Sequence, residues 1–229
     1  MIIFSIIYIL FLCAYFVTRV GDNIKHRALN KTILATMYLV YAIVMFHVGG
    51  FSGYHYVMMA ALFLAYMGDL FLIFDLNRGG DFFLAGNVCF ATFYLASLTK
   101  YAVPFVNYFW VFILWAALIT TFIIWAGLIS LFIYLAKKYP NVLKLGKMKY
   151  PMALYLSSIT LHGLLGLVTA IFVGTTPLIV MGIGSVSFMI SDYILTLDRF
   201  VIPKRKWLIR CNSLTYFVGL LLIVLSLGL

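Results

Sequence analysis

The sequence contains no glutamate and no glutamine, and only 10% of its 229 residues are charged. Soluble globular domains carry about 25% charged residues, so this scarcity of charge excludes that class. Disorder is excluded as well, because disordered chains have low hydrophobicity, whereas 66% of this chain is hydrophobic. Uncharged runs close to the ~20 residues that cross a bilayer recur along the sequence. The composition therefore predicts an all-α, polytopic transmembrane helical bundle.

Cysteine is scarce, and the chain lacks the short motifs of common hydrolases and nucleotide-binding proteins. Its three cysteines, Cys13, Cys89 and Cys211, show no CxxC spacing, which indicates neither a disulfide framework nor a metal site. The patterns HExxH, GxSxG and GxxxxGK[ST] are absent. Zinc-protease, serine-triad and P-loop chemistry are therefore not supported. We expect no metal and no cofactor.

Apolar runs predict about eight spans that form a single transmembrane domain over residues 1–229. The predicted spans run near Ile2–Val17, Thr32–Val48, Tyr54–Phe74, Phe82–Leu98, Trp110–Leu135, Pro151–Val173, Thr176–Thr196 and Leu208–Gly228. The uncharged stretch from Tyr101 to Ala136 is too long for one helix, yet short for two spans and a turn. We expect a short interfacial segment at Pro104 and Asn107, followed by one long tilted span.

Basic residues fall almost entirely on one side of these spans. Fifteen of the 16 lysines and arginines lie in one set of loops, and only Lys100 lies in the other. Such a bias is typical of cytoplasmic loops. We therefore expect both termini on the outer side, with loops 18–31, 75–81, 137–150 and 197–207 in the cytoplasm. The net charge of +10 follows from this placement and does not indicate nucleic-acid binding.

Two aspartates, Asp69 and Asp192, lie inside predicted spans with apolar sequence on both sides. A carboxylate within a span costs at least ~2.5 kcal/mol on insertion scales, so it marks function unless a partner explains it. The alternative is an aspartate that ties helices together through hydrogen bonds. Both residues lie roughly 6–8 Å inside the predicted cytoplasmic edge, at a rise of about 1.5 Å per residue. At one depth they can face one cavity.

Other spans place polar side chains near the same depth. They are Asn87 in the fourth span, Tyr155, Ser158 and His162 in the sixth, and Asn212, Thr215 and Tyr216 in the eighth. Singly, each is more often a contact between helices, and this is our expectation for His162. Together they predict a polar pocket in the inner leaflet that suits an amphiphile bearing a phosphate. Cations are expected near its mouth: Lys31, Arg78, Lys147, Lys149 and Lys204.

Several short segments occur in a fixed order along the chain. They are Gly68–Leu72, the Phe83, Gly86 and Phe90 set, Tyr150-Pro151 with Tyr155, Gly184–Asp192 followed by Arg199-Phe200, and Thr215-Tyr216. In order, spacing and layout of spans they resemble the lysoplasmalogenase-like YhhN family of membrane proteins. The chain departs from that family at Phe93-Tyr94, where a histidine is common, and at Val218–Leu220, where a glutamine is common.

The resemblance implies a hydrolase that cleaves the vinyl ether of lysoplasmalogens into a fatty aldehyde and a glycerophospho-ethanolamine or -choline. Such a reaction needs one carboxyl group as a general acid and an ionised one to stabilise the cation. The predicted catalytic pair is Asp69 and Asp192, and the sequence leaves open which of them is the acid. The predicted substrate-binding residues are Lys31, Asn87, Tyr155, Ser158, Asn212, Thr215 and Tyr216. Lys31, the predicted phosphate ligand, can equally be a positive-inside anchor.

A second function stays open at this point. A transporter or lipid-binding membrane protein without enzymatic activity can use an aspartate pair to carry protons or bind a cation. An inverted repeat would favour that class, and the sequence shows none. The expected partners are a lysophospholipid-like substrate and membrane lipids. The expected location is the bacterial inner membrane, and the sequence does not set the oligomeric state.

Overall fold

A computed structural model of the chain describes residues 2–18, 24–49, 55–73, 79–102, 108–141, 149–201 and 205–229. In these residues all regular structure is helical, which confirms the predicted all-α transmembrane bundle. The eight helices described are α1 (Ile2–Thr18), α2 (Ile24–Val48), α3 (His55–Ile73), α4 (Gly79–Ala102), α5 (Tyr108–Lys138), α6 (Lys149–Val173), α7 (Thr176–Phe200) and α8 (Lys206–Ser226). Six are long and apolar enough to cross a membrane, and the apolar parts of α1 and α3 are shorter.

Two helices extend well past the predicted spans. α2 begins at Ile24 rather than near Thr32, and α7 continues to Phe200 rather than Thr196. Charged residues end the apolar part of a span but do not end the helix. Neither glycine nor proline, which would break a helix, lies between Ile24 and Thr32. Each segment predicted as a loop is therefore partly helical, which corrects the prediction of loops throughout 18–31, 75–81, 137–150 and 197–207.

The uncharged stretch after α4 forms one continuous helix from Tyr108 to Lys138, as predicted. Its 31 residues span about 46 Å at 1.5 Å per residue, which exceeds the roughly 30 Å hydrocarbon core. Tilting or extension beyond the core accommodates such a length. The interfacial segment predicted at Pro104 and Asn107 lies outside the described residues.

Six helices pack in a closed ring. In the order α2, α3, α4, α6, α7 and α8, each helix contacts the next, and α8 closes on α2. α1 packs outside the ring against α2 and α8, and α5 packs outside it against α6 and α4. Large apolar side chains of α5 such as Phe112 and Trp115 remain exposed. The interior of the ring is therefore where polar groups can be shielded from lipid.

The α6–α7 connection is a tight turn that makes these two helices antiparallel neighbours. Gly174, at φ 68°, has the left-handed backbone conformation that glycine tolerates best. Its N–H donates to the Ala170 carbonyl at 3.1 Å, and Pro177 falls in the first turn of α7. With the helices reversed within two residues, the start of α6 lies beside the end of α7.

α7 and α8 approach each other closely through glycines. A Cβ atom on Gly184 would lie 2.7 Å from the Gly219 carbonyl oxygen, and one on Gly219 would lie 2.8 Å from the Gly184 carbonyl oxygen. Small residues at a crossing let helix backbones meet inside a membrane. This contact fixes the spacing of α7 and α8 beside the polar cluster described next.

Candidate functional site

Asp69, on α3, is 1% exposed and has strong partners on both carboxylate oxygens. The Lys31 Nζ of α2 lies 2.8 Å from Oδ1, and the Tyr216 hydroxyl of α8 donates to Oδ2 at 2.8 Å. A buried carboxylate is tolerated when it is both paired and hydrogen-bonded. The three residues lie at the end of the ring where α2, α4, α6 and α8 begin and α3 and α7 end, which we call the basal end.

Asp192, on α7, is 3% exposed and has a different set of partners. The Tyr155 hydroxyl of α6 donates to its Oδ2 at 2.5 Å. No lysine or arginine of the described ranges forms an ion pair with it. Lys31 and Arg199 act on it only at longer range.

The two aspartates and the two tyrosines form one group, which we call the aspartate cluster. Asp69 and Asp192 lie within range of direct electrostatic interaction, and Tyr155 and Tyr216 each lie within that range of both carboxylates. The side chains come from α3, α6, α7 and α8, so the closed ring is what assembles them. The structure thus brings the predicted pair together, and the catalytic role assigned to it stays a prediction.

Tyr38 of α2 belongs beside this cluster, and sequence reasoning missed it. It is completely buried and interacts electrostatically with Asp69, Tyr8 and Tyr66. Its hydroxyl lies next to that of Tyr216 but makes no hydrogen bond of good geometry to the described residues. A tyrosine in an apolar helix resembles an ordinary packing residue. Its position seven residues after Lys31, on the same helix face, is the signal that could have identified it.

Asn87 and Ser158 form a second polar group with His162, next to the aspartate cluster. The Asn87 Nδ2 donates to Ser158 Oγ at 3.2 Å, and its Oδ1 lies 3.2 Å from His162 Nδ1. The other imidazole nitrogen lies 3.2 Å from Ser185 Oγ, and the Phe90 ring stacks on the imidazole at 4.4 Å. His162 therefore hydrogen-bonds to α4 and α7, as expected for a contact between helices.

This second group touches the first through Tyr155. Ser158 lies one helical turn after Tyr155 on α6, and its hydroxyl donates to the Tyr155 backbone carbonyl at 2.8 Å. The side chain of the same tyrosine hydrogen-bonds to Asp192. Asn87 and Ser158 thus support the backbone of Tyr155, and within the described residues their hydrogen bonds do not reach either carboxylate. Their predicted role in binding substrate stays a prediction.

Asn212 and Thr215 lie in the contact between α7 and α8. The Asn212 Nδ2 donates to the Ser191 carbonyl at 3.2 Å, and the Ser191 hydroxyl donates to the Asn212 carbonyl at 3.2 Å. The Thr215 hydroxyl donates to the Cys211 carbonyl of its own helix at 2.8 Å. The two bonds between Ser191 and Asn212 hold α7 against α8. The structure does not join either residue to the aspartate cluster, and their substrate-binding role is likewise untested.

Lys31 and Tyr155 mark where the aspartate cluster approaches the surface. The Lys31 side chain is 19% exposed, and Tyr155 is partly exposed, whereas both aspartates are buried. Of the other cations predicted at the mouth, Arg78, Lys147 and Lys204 lie outside the described residues, as does the side chain of Lys149. Among the side chains that are described, no group of three or more histidines, cysteines or aspartates is placed to hold a metal ion.

The comparison with protein families gives one match. The model of the YhhN family covers residues 26–227, a range that includes α3 to α8, most of α2 and every residue of the aspartate cluster. No curated protein and no solved structure matches the chain.

Proposed function

The chain belongs to the YhhN family, and from this premise we propose that it is a membrane-embedded lysoplasmalogen hydrolase. It cleaves the vinyl ether into a fatty aldehyde and a glycerophospho-ethanolamine or -choline. The observation that carries the proposal is a pair of buried carboxylates whose partners differ, one bound to a cation and one not. Vinyl ether hydrolysis needs that asymmetry, because one group must donate a proton while another stabilises positive charge.

The partners suggest which aspartate has which role. The ammonium group of Lys31 at 2.8 Å favours an ionised Asp69. Two carboxylates that share a shielded site do not both ionise readily. In this proposal Asp192 therefore carries the proton and is the general acid. Its Oδ2 accepts the Tyr155 hydroxyl, which leaves Oδ1 as the proton-bearing oxygen.

The proposed reaction has three steps: protonation of the vinyl ether, addition of water, and breakdown of the hemiacetal. The proton on Asp192 moves to the β-carbon of the vinyl ether, and the C=C electron pair forms the new C–H bond. The oxocarbenium ion that results is stabilised by the Asp69 carboxylate. Water adds to the α-carbon and gives a proton to Asp192, which restores the acid. The hemiacetal breaks its C–O bond to release the aldehyde and the free glycerol hydroxyl, with one water consumed in total.

Lys31 has two possible contributions in this scheme. Its ammonium carries three donors, of which one is directed at Asp69. The remaining donors and its partial exposure fit a contact with the substrate phosphate at the mouth. We propose that holding Asp69 ionised is its main role, and the two contributions are separable kinetically.

The proposed orientation places the basal end on the cytoplasmic side of the bacterial inner membrane, with both termini outside. Its support is the positive-inside bias of the basic residues. The substrate then enters from the cytoplasmic leaflet, with its headgroup near Lys31 and its chain in the bilayer.

A transporter that moves protons through the same group is the second candidate. The buried Lys31–Asp69 ion pair favours it, because ionisable pairs inside a membrane often form proton relays. It differs from the hydrolase in needing no chemical change of a lipid.

Aldehyde release tests the proposal. Purified protein is incubated with an ethanolamine lysoplasmalogen, and the fatty aldehyde is measured by a coupled aldehyde dehydrogenase assay. The matched control is the lysolipid with an alkyl ether of equal chain length, which has no C=C bond to protonate. We expect aldehyde from the vinyl ether alone. Absence of aldehyde from folded protein at any substrate concentration would reject the hydrolase and leave the transporter.

A further inference from the structure

A cleft at the basal end lies between α1 and α8, on the outer side of the ring. It has a volume of about 580 Å³, and its lining residues are Phe16, Arg205, Lys206, Trp207, Arg210 and Cys211. None of them belongs to the aspartate cluster or to the group around His162. The cleft is thus a separate feature that the proposed hydrolysis does not use.

Cations dominate the polar part of the cleft. Arg205, Lys206 and Arg210 contribute three positive charges, and no acidic residue of the described part of the chain lines the cleft. The first turn of α8 adds backbone N–H donors, because it holds no acidic residue and Arg205 makes no side-chain cap. A ligand that satisfies this surface must be an anion.

Arg210 lines the cleft beside Phe16 of α1. Its guanidinium carbon lies 5.5 Å from the centre of the Phe16 ring, a cation–π contact that joins α8 to α1. Its Nε is buried and has no hydrogen-bond partner among the residues described. A buried donor without an acceptor is costly. The planar guanidinium matches the oxygens of a phosphate with two parallel hydrogen bonds.

The remaining walls are apolar. Phe16, Trp207 and Cys211 line the cleft, and Trp207 is 61% exposed. Tryptophan is enriched at the level of lipid headgroups, where its ring contacts acyl chains. Cations and an interfacial tryptophan in one cleft fit a ligand that is anionic at one end and apolar at the other.

We propose that this α1–α8 cleft binds the headgroup of an anionic glycerophospholipid from the surrounding leaflet. The headgroup phosphate contacts Arg210 together with Arg205 and Lys206, and the start of an acyl chain lies along Phe16 and Trp207. Lipids with a net negative charge are preferred over zwitterionic ones, because the ammonium of a zwitterionic headgroup cancels much of the attraction. The bound lipid bridges α1 to the ring and so stabilises the fold.

Thermal unfolding of the purified full chain in detergent, after removal of endogenous lipid, tests the site. Phosphatidylglycerol, phosphatidylcholine and inorganic phosphate are titrated separately. We expect phosphatidylglycerol alone to raise the midpoint in a saturable way. The concentration for half-saturation rises at least about tenfold in Arg210→Gln, in line with the loss of a charge-assisted hydrogen bond. Lys137→Gln, an exposed cation at the end of α5, is the matched control and leaves it unchanged.

Three results would overturn the proposal: equal stabilisation by phosphatidylcholine, the same effect from inorganic phosphate, or an unchanged half-saturation in Arg210→Gln. If Arg210→Gln does not fold, the exposed double variant Arg205→Gln/Lys206→Gln replaces it, with retained phosphatidylglycerol counted by native mass spectrometry. Retention equal to that of Lys137→Gln would then reject the site, and reduced retention would support it. The test does not measure aldehyde release, so its result does not depend on whether the protein is a hydrolase.

Discussion

Asp69 and Asp192 lie in one buried cluster at the same end of the ring, but they differ in what holds them. Asp69 has an ammonium group on one oxygen and a phenol on the other. Among the described side chains, Asp192 has only a phenol, that of Tyr155, within hydrogen-bond distance of its carboxylate. Two residues of the same type at the same end of the ring thus have different neighbours, and we propose that these neighbours give them different charges. Both aspartates are buried, so it is their partners on adjacent helices that distinguish the proposed cation-stabilising carboxylate, Asp69, from the proposed acid, Asp192.

The difference has its origin in which helices flank each aspartate. α3 has α2 as a ring neighbour, and Lys31 lies near the start of the apolar part of α2, Ala28–Val48. α7 lies between α6 and α8, whose described side chains give Asp192 a tyrosine and no cation within pairing distance. The first turns of α2 thus place an ammonium group against Asp69.

Of the variants that test this difference, Asp69→Asn is expected to have the largest combined effect on activity and stability. Asp69→Asn removes the negative charge and leaves Lys31 without its partner, so both activity and stability fall. Hydrolysis drops by about 10²–10⁴-fold, the range for loss of a charged catalytic group. The thermal midpoint falls further than in Asp192→Asn, because an unpaired ammonium is left near the membrane interior.

The matched control for that variant is Asp81→Asn, in the exposed first turn of α4. It should retain activity and stability. An Asp69→Asn protein with wild-type turnover would remove Asp69 from the mechanism. Equal midpoints for Asp69→Asn and Asp192→Asn would contradict the difference in partners.

Lys31→Ala separates the two roles of the lysine. If Lys31 holds Asp69 ionised, kcat falls on the order of tenfold, the value of a charge-assisted hydrogen bond. A ligand of the substrate phosphate alone would instead raise KM and leave kcat nearly unchanged. Lys137→Ala is the control for general loss of positive charge. A change in expression or orientation with wild-type kinetics in the correctly inserted fraction would identify Lys31 as a topological anchor.

The two tyrosines test the charges of the two aspartates through stability. Tyr216→Phe removes a hydrogen bond to an ionised acceptor and should lower the free energy of unfolding by about 1.5–3 kcal/mol. Tyr155→Phe removes one to a neutral acceptor and should cost about 0.5–1.5 kcal/mol. Tyr193→Phe, whose hydroxyl lies 2.7 Å from Thr160 Oγ1 across α6 and α7, is the neutral control. A larger loss for Tyr155→Phe than for Tyr216→Phe would reverse the assignment.

Tyr38→Phe should have the smallest effect. Because the hydroxyl makes no hydrogen bond of good geometry to any described residue, we expect its removal to leave the thermal midpoint unchanged or slightly raised. A loss as large as that of Tyr216→Phe would show that Tyr38 donates to Tyr216 and belongs to the hydrogen-bonded cluster.

The sequence predicted the helical bundle and the meeting of Asp69 with Asp192, because long apolar runs and acidic residues inside them are visible without a fold. It also named Tyr155 and Tyr216, which hydrogen-bond to the two aspartates. It could not predict that Lys31 pairs with Asp69, since the contact depends on how α2 and α3 are rotated against each other. For the same reason it could not separate Tyr155 and Tyr216, which reach the carboxylates, from Asn212 and Thr215, which lie between α7 and α8.

Aldehyde release by Asp192→Asn tests the central claim most directly. The variant keeps the size of the side chain and its hydrogen bond from Tyr155, but it cannot donate a carboxyl proton. Asp198→Asn, six residues later on the same helix, is the matched control. We predict that folded Asp192→Asn loses at least about 10²-fold in turnover of the vinyl ether lysolipid, while Asp198→Asn keeps its activity. Turnover by Asp192→Asn close to that of the wild-type protein would contradict the account.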